Sequence, residues 1–394
     1  MPGPLDGVKI VDLSAVIAGP MATGMLADQG AEVIKVEPLG LGDLCRWLGP
    51  NRNGLGAMFA AVNRNKRSIA LNLKDEKAKA VLRELLKDAD VFVQNFRPGA
   101  IDRMGFGYEA LRKDHPGLIY VSMSGFGQDG PYAKRRVYDP VVQAISGFAD
   151  SQADAKTGEP RLIQTIACDK VTAITAAQAI TAALFARARG AGGQHVTLTM
   201  IEATLAFLWP DAFYNHALLD SEAPPSPDFA SFYGIMATKD GFVTTITISD
   251  DEFRDCCRAL GRPDIAADPR FKDIVSRMAN AAALKAAFAE AVATFTTADV
   301  RARLEAEDAP HAVVLTRAEV PSDPQIVHNG SLVVTDHPAA GRLREAVPAA
   351  KFAATPSSLR RHAPLLGEQT DEILAELGRS PAEIAALRAA GAAG

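Results

Sequence analysis

Residues 9–37 read KIVDLSAVIAGPMATGMLADQGAEVIKVE, and this stretch decides the fold class. The runs 9–13 and 32–37 have the length and apolar content of short buried strands. Between them a Gly-Pro break precedes a helix of small residues, which is predicted over 21–29. The succession strand, helix, strand is typical of a βαβ unit, whose two strands lie parallel in one sheet.

The same alternation continues along the chain. Strands are predicted over 67–73, 90–94, 118–123 and 194–200. A helix that presents three leucines on one face lies between the first two of them. Strands that alternate with helices imply a parallel sheet covered on both faces, so the predicted class is α/β.

A proline-rich stretch at 222–228, EAPPSPD, is the clearest linker of the chain. Beyond it, residues 241–247 have strand character, and two or three alanine-rich helices follow to about residue 307. We expect a smaller α+β domain here. After residue 329 the sequence predicts two more strands and further helices.

The composition excludes several classes of protein. The chain has 394 residues with 42 Lys+Arg against 47 Asp+Glu, a net charge of −5, which does not favour nucleic-acid binding. No apolar run approaches the roughly 18 residues of a membrane span, and the start at residues 1–6 lacks the features of a signal peptide. The four cysteines, Cys45, Cys168, Cys256 and Cys257, fit no disulfide framework, and we therefore expect a cytoplasmic protein without membrane contact.

The first strand-to-helix loop, residues 16–20, could hold an anion on its exposed N–H groups. It is not the G-x-G-x-x-G dinucleotide motif, although Glu37 stands near the position of that motif's ribose-binding acid, so a plain turn is favoured over NAD binding. Basic clusters at 63–67, 97–103 and 134–136 stand beside strand ends. Together they favour a ligand that bears phosphate.

Asp169 stands at the start of a long alanine-rich helix predicted over 169–190. It could be an N-cap, whose carboxylate satisfies the free N–H groups of the first turn. The same surroundings would keep the carboxylate ionised, as a nucleophile requires. The seven histidines show no spacing typical of a metal site, so no metal is expected.

Several segments in order along the chain resemble the family III CoA-transferases, a superfamily that includes formyl-CoA, carnitine and succinyl-CoA-dependent transferases and 2-methylacyl-CoA racemases. They are residues 4–13 (PLDGVKIVDL), 18–20 (AGP), 30–37 (GAEVIKVE), 65–74 (NKRSIALNLK), 95–99 (NFRPG), 104–106 (MGF), 124–127 (SGFG), 138–139 (YD) and 363–368 (APLLGE).

The resemblance implies a large, doubly wound, Rossmann-like domain that binds CoA and is built from both chain ends. It also implies a small domain between these parts, and two ring-like subunits interlocked as a homodimer. It assigns residues 1–200 and 330–394 to the large domain, 225–325 to the small domain, and 201–224 and 326–329 to linkers. Coenzyme A would enter as substrate and product, with no permanently bound cofactor.

Positions matching the family's motifs would hold the nucleotide and the pantetheine arm of CoA. These are Ile17, Ala18, Leu71, Asn72, Leu73, Lys74, Asn95, Phe96, Arg97, Arg103, Arg136, Val137, Tyr138 and Asp139. The resemblance makes Asp169 the catalytic aspartate.

Two departures bear on function. The racemase branch has a histidine in a Gly-His-Asp triplet where this chain has Val137, Tyr138 and Asp139, and a tyrosine with a pKa near 10 is a poor base at neutral pH. The oxalate-using formyl-CoA branch has glutamine and arginine where this chain has Ile17 and Pro38. We therefore do not expect oxalate specificity.

The resemblance and the residues together predict an acyl-CoA:carboxylate CoA-transferase that works through aspartyl anhydride and aspartyl-CoA intermediates. Its partners would be an acyl-CoA and a carboxylic acid. Two alternatives remain open. One is a 2-methylacyl-CoA racemase that uses Asp169 as a base, and the other is a CoA-binding protein without turnover.

Overall fold

The computed structural model describes residues 3–154, 156–219 and 225–394. Its strands are β1 (Lys9–Asp12), β2 (Glu32–Glu37), β3 (Asn51–Arg52), β4 (Leu55–Gly56), β5 (Lys66–Ala70), β6 (Val91–Gln94), β7 (Ile119–Ser124), β8 (His195–Thr199), β9 (Ile235–Ala237), β10 (Phe242–Thr245), β11 (His311–Val313), β12 (Leu332–His337) and β13 (Gly341–Ala346). Its α-helices are α1 (Ala18–Asp28), α2 (Ala57–Asn63), α3 (Glu76–Lys87), α4 (Ala100–Arg103), α5 (Tyr108–Asp114), α6 (Asp139–Ile145), α7 (Phe148–Ser151), α8 (Ala167–Ala186), α9 (Met200–Ala212), α10 (Asp250–Ala259), α11 (Pro263–Ala266), α12 (Ile274–Ala279), α13 (Ala281–Val292), α14 (Thr297–Ala306), α15 (Pro324–His328), α16 (Thr370–Glu376) and α17 (Pro381–Ala389).

The chain divides into two compact units, one of residues 1–207 with 328–394 and one of residues 208–327. The centre of the first unit is a six-stranded sheet in the order β5-β2-β1-β6-β7-β8, in which every neighbouring pair is parallel. The chain moves outward from β1 to β2 and β5 and then returns to β6 on the other side of β1. This is a doubly wound order with its reversal between β1 and β6. The predicted α/β class with a parallel sheet is confirmed.

Alternate side chains of these strands enter two separate cores, because successive residues of a strand point to opposite faces. On one face, Val11 and Phe92 pack with the leucines of α3 and with α16 and α17. On the other face, Ile10 and Val91 pack with the small residues of α1 and α8. Both faces of the sheet are therefore buried, which explains the nearly continuous apolar character of its strands.

The first helix begins earlier than predicted. It starts at Ala18, so that Gly19 and Pro20 lie in its first turn instead of forming a break before it. Proline is tolerated there because the first-turn N–H groups have no partner inside the helix. Gly19 is required by close packing, since a Cβ at this position would come within 2.3 Å of the Ser14 side chain.

The long alanine-rich helix also differs from expectation. With its terminal turn it runs from Ala167 to Ala191, and by length and composition alone it could cross a membrane, contrary to the sequence analysis. However, Ala173, Ala176 and Ile180 are buried in the core beside α1. One face of this helix therefore packs into the core of the first unit.

The second unit has its own core. Strands β9, β10 and β11 form an antiparallel sheet in the order β11-β10-β9, packed against helices through Phe253, Phe288 and Val300 among others. Residues 250–306 form five helices, so the prediction of two or three was wrong. Several of these helices begin at a capping residue of their own. Ser249 forms a capping box at the start of α10, and the side chains of Asp273 and Thr296 cap α12 and α14.

The predicted connections differ in detail from the structure. Residues 201–212 belong to α9 and residues 326–328 belong to α15, within the two segments assigned as linkers. In the proline-rich stretch, residues 222–224 lie outside the described residues, and residues 225–228 have no regular structure. The two predicted strands after residue 329 are present as the β12–β13 hairpin.

Candidate active site

The reversal of strand order places two loops side by side at the carboxyl edge of the sheet. These are residues 13–17 after β1 and residues 95–98 after β6. The Asn95 side chain joins them, since its Oδ1 accepts from the Ala15 N–H at 2.9 Å and its Nδ2 donates to the Ala15 carbonyl at 2.8 Å. Ligands of open α/β sheets bind in this crevice.

A pocket of about 320 Å³ opens at this crevice, within the first unit. Eight of the residues predicted for the site contribute to its wall. They are Ala18, Asn95, Phe96, Arg97, Arg136, Val137, Tyr138 and Asp169. Residues outside the set of predicted site residues also line it, chiefly Val16, Met123, Phe126, Thr172 and Met200. Met123, Thr172 and Met200 lie on a strand and two helices, where sequence alone cannot distinguish a pocket wall from the core.

Seven predicted residues lie outside the pocket wall. Ile17 is buried at the start of α1. Leu71 is buried and bridges to Ala393, and Asn72 bonds to the same C-terminal segment. Leu73 and Lys74 follow them beyond the end of β5, at the edge of the sheet.

Arg103 and Asp139, the other two predicted residues outside the wall, have different surroundings. Arg103 is exposed, and its guanidinium lies near Gly99, at the turn after the pocket-lining loop. Asp139 is 1% exposed and lies behind the pocket wall. A contact of Arg103 with CoA therefore stays a prediction, whereas Asp139 contacts other protein groups.

One of the three basic clusters does not belong to the site. Residues 63–67 stand at the amino end of β5, the opposite edge of the sheet from the crevice. Their side chains form ion pairs within the protein. Arg64 pairs with Asp28, and Arg67 pairs with glutamates that include Glu376. The interpretation of this cluster as a phosphate site was wrong, because the sequence pattern did not show which end of the strand it occupied.

Asp169 is the third residue of α8, and the N-cap interpretation was wrong. The N-cap residue is Ile166, and no side chain at that position caps the helix. Asp139, at the start of α6, supplies the missing acceptor, because its Oδ2 accepts from the Asp169 backbone N–H at 3.0 Å. The Asp169 carboxylate lies instead beside the backbone N–H of Ala18, which favours its ionised form. It is thus left facing the pocket and not its own helix.

The position of Asp169 near the start of a helix does not keep the pKa of this carboxyl low. Burial and, to a smaller extent, the nearby charge of Asp139 raise its pKa to about 6. The Ala18 N–H, by bonding the ionised form, offsets part of this rise. The balance leaves a carboxylate that is mostly ionised at neutral pH and poorly solvated.

A network of buried charges lies beneath the loop after β1, and sequence reasoning missed it. Lys66 is fully buried and its Nζ lies 2.9 Å from Asp12 Oδ2. Lys35 pairs in the same way with Asp43, also at 2.9 Å. The signal available was the presence of charged residues within strands that are otherwise apolar, because a strand buried on both faces can contain a charge only with a partner.

The pocket offers basic and polar groups for a ligand with phosphates, and its lining residues include Arg97, Arg135 and Arg136. Arginines at such an edge can bind phosphate oxygens in pairs. Within residues 3–154, 156–219 and 225–394, no group of three or more His, Cys, Asp or Glu side chains could hold a metal ion.

Comparison with known proteins gives a consistent result. Residues 5–370 match the family described as CoA-transferase family III. The acetyl-CoA:oxalate CoA-transferase of Acetobacter aceti is 38% identical over 340 residues, which cover 84% of this chain and 86% of the relative. The human succinyl-CoA:glutarate CoA-transferase is 34% identical over 380 residues, covering 95% and 86%.

A solved structure, that of a CAIB/BAIF family protein from Brucella suis, superimposes with a TM-score of 0.82 at 33% identity. The alignment covers 96% of this chain and all of that one. The family match spans the parallel sheet and both loops of the crevice. The chain therefore belongs to CoA-transferase family III and is a CoA-transferase.

Proposed function

We propose that this protein transfers CoA from an acyl-CoA thioester to a carboxylic acid, with Asp169 as the nucleophile. The observation that carries the proposal is the position of the Asp169 carboxylate. It lies in the pocket wall, it is mostly desolvated, and it lies beside the Ala18 N–H. Covalent catalysis by a carboxylate requires such an ionised and accessible group.

The reaction divides into four acyl transfers. The Asp169 carboxylate attacks the donor thioester carbonyl, the C–S bond breaks, and CoA leaves as the thiolate while an acyl-aspartyl anhydride forms. The thiolate attacks the aspartyl carbonyl, which releases the donor acid and leaves an aspartyl-CoA thioester. The acceptor carboxylate repeats the sequence in reverse and leaves with CoA. Bonds and charges balance without a redox step.

The Ala18 N–H supports the second and third transfers. In both, a thiolate or carboxylate attacks the aspartyl carbonyl carbon, and negative charge develops on the oxygen of that carbonyl. Since the Ala18 N–H lies beside the same carboxyl group in the free enzyme, it is the group that would donate to the oxyanion.

A panel of CoA esters and carboxylic acids, read by the mass of the new thioesters, tests the function. The acids should include oxalate and glutarate, which appear in the names of the relatives. We expect exchange with at least one pair. Solvent deuterium entering the α-position without an acceptor would instead indicate a racemase, and tight CoA binding without exchange would indicate a binding protein.

Arg136→Ala is expected to weaken binding of the CoA ester about 10–100-fold, since it removes a charged partner of the phosphates from an exposed part of the pocket wall. KM should rise while kcat changes little, because the contact is the same in the ground and transition states. Arg112→Ala, at an exposed arginine paired with Glu109, is the matched control. Equal KM values in the two variants would contradict a role of Arg136 in CoA binding.

The rate is expected to depend on pH through Asp169. Its pKa is raised to about 6, and only the ionised form can attack, so kcat should be nearly constant above pH 7 and should fall about tenfold per unit well below pH 6. Steady-state rates between pH 5 and 8, with circular dichroism to confirm folding, measure this. A flat profile across that range would contradict the assignment of the nucleophile.

We further propose that the active form is a cytoplasmic homodimer of interlocked subunits. In the single chain, Ile174 and Phe185 of α8 are 53% and 64% exposed, and Phe207 of α9 is 56% exposed. A second copy that covers this apolar surface would stabilise the assembly. The four cysteines are free and buried, which suits a reducing compartment. Light scattering on the active protein measures its mass.

A further inference from the structure

The loop after β1 contains a strained residue. Val16 has φ of 69°, in the left-handed region, which is uncommon for any residue other than glycine and costly for a β-branched one. Val16 also lines the pocket. Such a conformation persists only where surrounding contacts hold it, and it therefore calls for an explanation from its neighbours.

Two buried side chains hold this conformation. Both carboxylate oxygens of Asp43 accept from the Val16 N–H, at 3.0 and 3.2 Å. Lys35 Nζ lies 2.9 Å from Asp43 Oδ2 and donates to the Ser14 carbonyl, also at 2.9 Å. Both side chains are about 1% exposed. We call this pair the Asp43–Lys35 clamp.

The clamp acts on the segment that reaches the nucleophile. Ala15 is held on one side by both ends of the Asn95 amide. On the other side, Ala18 and Asp169 line the same pocket, and the Ala18 N–H lies beside the Asp169 carboxylate and favours its ionised form. Val16 lies between these two attachments, and a relaxation of its φ to negative values would redirect the chain between them. The left-handed conformation therefore determines where the Ala18 N–H points.

We propose that Asp43, held by Lys35, is a positioning residue for CoA transfer, which keeps Val16 in its left-handed conformation and thereby keeps the Ala18 N–H on the Asp169 carboxylate. This inference rests on the proposed role of Asp169. Asp43 does not line the pocket, so it acts through the loop and not on the substrate.

Moving the Ala18 N–H away from the Asp169 carboxylate has a defined chemical consequence. The other titratable groups beside Asp169 are the Asp139 carboxylate, from the start of α6, and the Cys168 thiol of its own helix. With burial and Asp139 both favouring the protonated carboxyl, the Ala18 N–H is the group that favours ionisation. Without it the pKa of Asp169 rises, and the oxyanion loses a donor.

Asp43→Asn tests the inference. The amide keeps the size of the side chain but loses the charge and one acceptor oxygen. We expect kcat at pH 7 to fall about 10–100-fold, as for loss of one oxyanion donor, and the acidic limb of the kcat profile to move to higher pH by about half to one unit. If this variant fails to fold, Asp43→Glu replaces it, with the same expected shift, because it retains the charge beside Lys35 but displaces the oxygens.

A matched control and a rescue separate positioning from stability. Asp28→Asn also removes a buried, paired carboxylate of the same unit, but one outside the pocket wall, so kcat and its pH profile should stay as in the wild type. Val16→Gly removes the strain, since glycine adopts positive φ freely. The Asp43→Asn penalty should therefore be several-fold smaller in the Val16→Gly background.

Hydroxylamine trapping of the aspartyl intermediate distinguishes failure of the proposed function from failure of the positioning role of Asp43. If wild-type protein exposed to donor CoA ester gives no adduct on Asp169, the proposed function itself is wrong. If the wild type gives the adduct, and Asp43→Asn forms it at the same rate with the same pH profile, only the positioning role is overturned. Equal losses of activity in Asp43→Asn and Asp28→Asn would likewise overturn only the positioning role.

Discussion

Asp169→Asn is expected to reduce CoA transfer by about 1,000-fold or more, because an amide oxygen cannot form the anhydride on which every later step depends. The protein should remain folded and should still bind CoA, since the helix start is capped by Asp139 and not by Asp169. Exchange is measured with the best pair from the substrate panel, and CoA binding by calorimetry.

Asp75→Asn is the matched control for this substitution. Asp75 is a true N-cap, whose side chain accepts from the Lys77 N–H at the start of α3, and asparagine caps as well as aspartate. This control should keep full activity. Full exchange activity in Asp169→Asn, together with no hydroxylamine adduct on its peptide in the wild type, would refute the mechanism.

Asp169→Asn should also stabilise the fold at neutral pH. The pKa of Asp169 in the folded protein, about 6, lies above its ordinary value of 3.8, so ionisation of this group costs stability. The favourable contribution is complete below pH 4 and is lost as the pH rises through 6. Asp169→Asn avoids this cost, and we expect a gain of about 1–2 kcal/mol at pH 8 that becomes smaller at pH 5. Thermal melts at both pH values measure it.

Asp12→Ala is expected to destabilise the protein by about 3–5 kcal/mol, since it leaves the Lys66 ammonium buried without its counter-charge. Asp12 also accepts from the hydroxyls of Ser14 and Thr23, so two further donors lose their partner. Denaturant unfolding measures the change, or the shift in melting temperature if unfolding is irreversible.

Two further variants are compared with Asp12→Ala. Asp371→Ala breaks an exposed ion pair with Arg388 and should cost less than about 1 kcal/mol. A double variant, Asp12→Leu with Lys66→Met, removes both charges and should recover much of the loss, because an apolar pair does not require a counter-charge. A loss as small as that of Asp371→Ala would mean that water reaches Lys66.

The central sheet could be predicted from local sequence because its signals are local. The run 32–37 forms a strand with the predicted bounds, and the run 9–13 differs by one residue at its end. Apolar runs between glycines, with helices between them, are sufficient to determine strand, helix and parallel pairing. The order of the strands, which the structure shows, is that of a doubly wound sheet.

Tertiary structure decided the properties of individual charged groups. Lys66 and Asp12 are 54 positions apart, and Arg67 and Glu376 are 309 apart, so a basic cluster that looked like a phosphate site is internal. Asp139 reaches Asp169 from 30 positions away, takes over the cap and contributes to its raised pKa.

The sequence by itself therefore determined the fold class, the strands of the central sheet to within three residues at each end and, through its motifs, the pocket-lining loops 95–98 and 136–138. Only the tertiary structure decided that Val16 is held in a left-handed conformation, that Asp43 holds it, and that Asp169 faces the pocket. The physical reason is the separation along the chain of the residues that produce each effect. Propensity and hydrophobic periodicity depend on neighbours along the chain, whereas desolvation, charge pairing and backbone strain depend on residues that folding brings together.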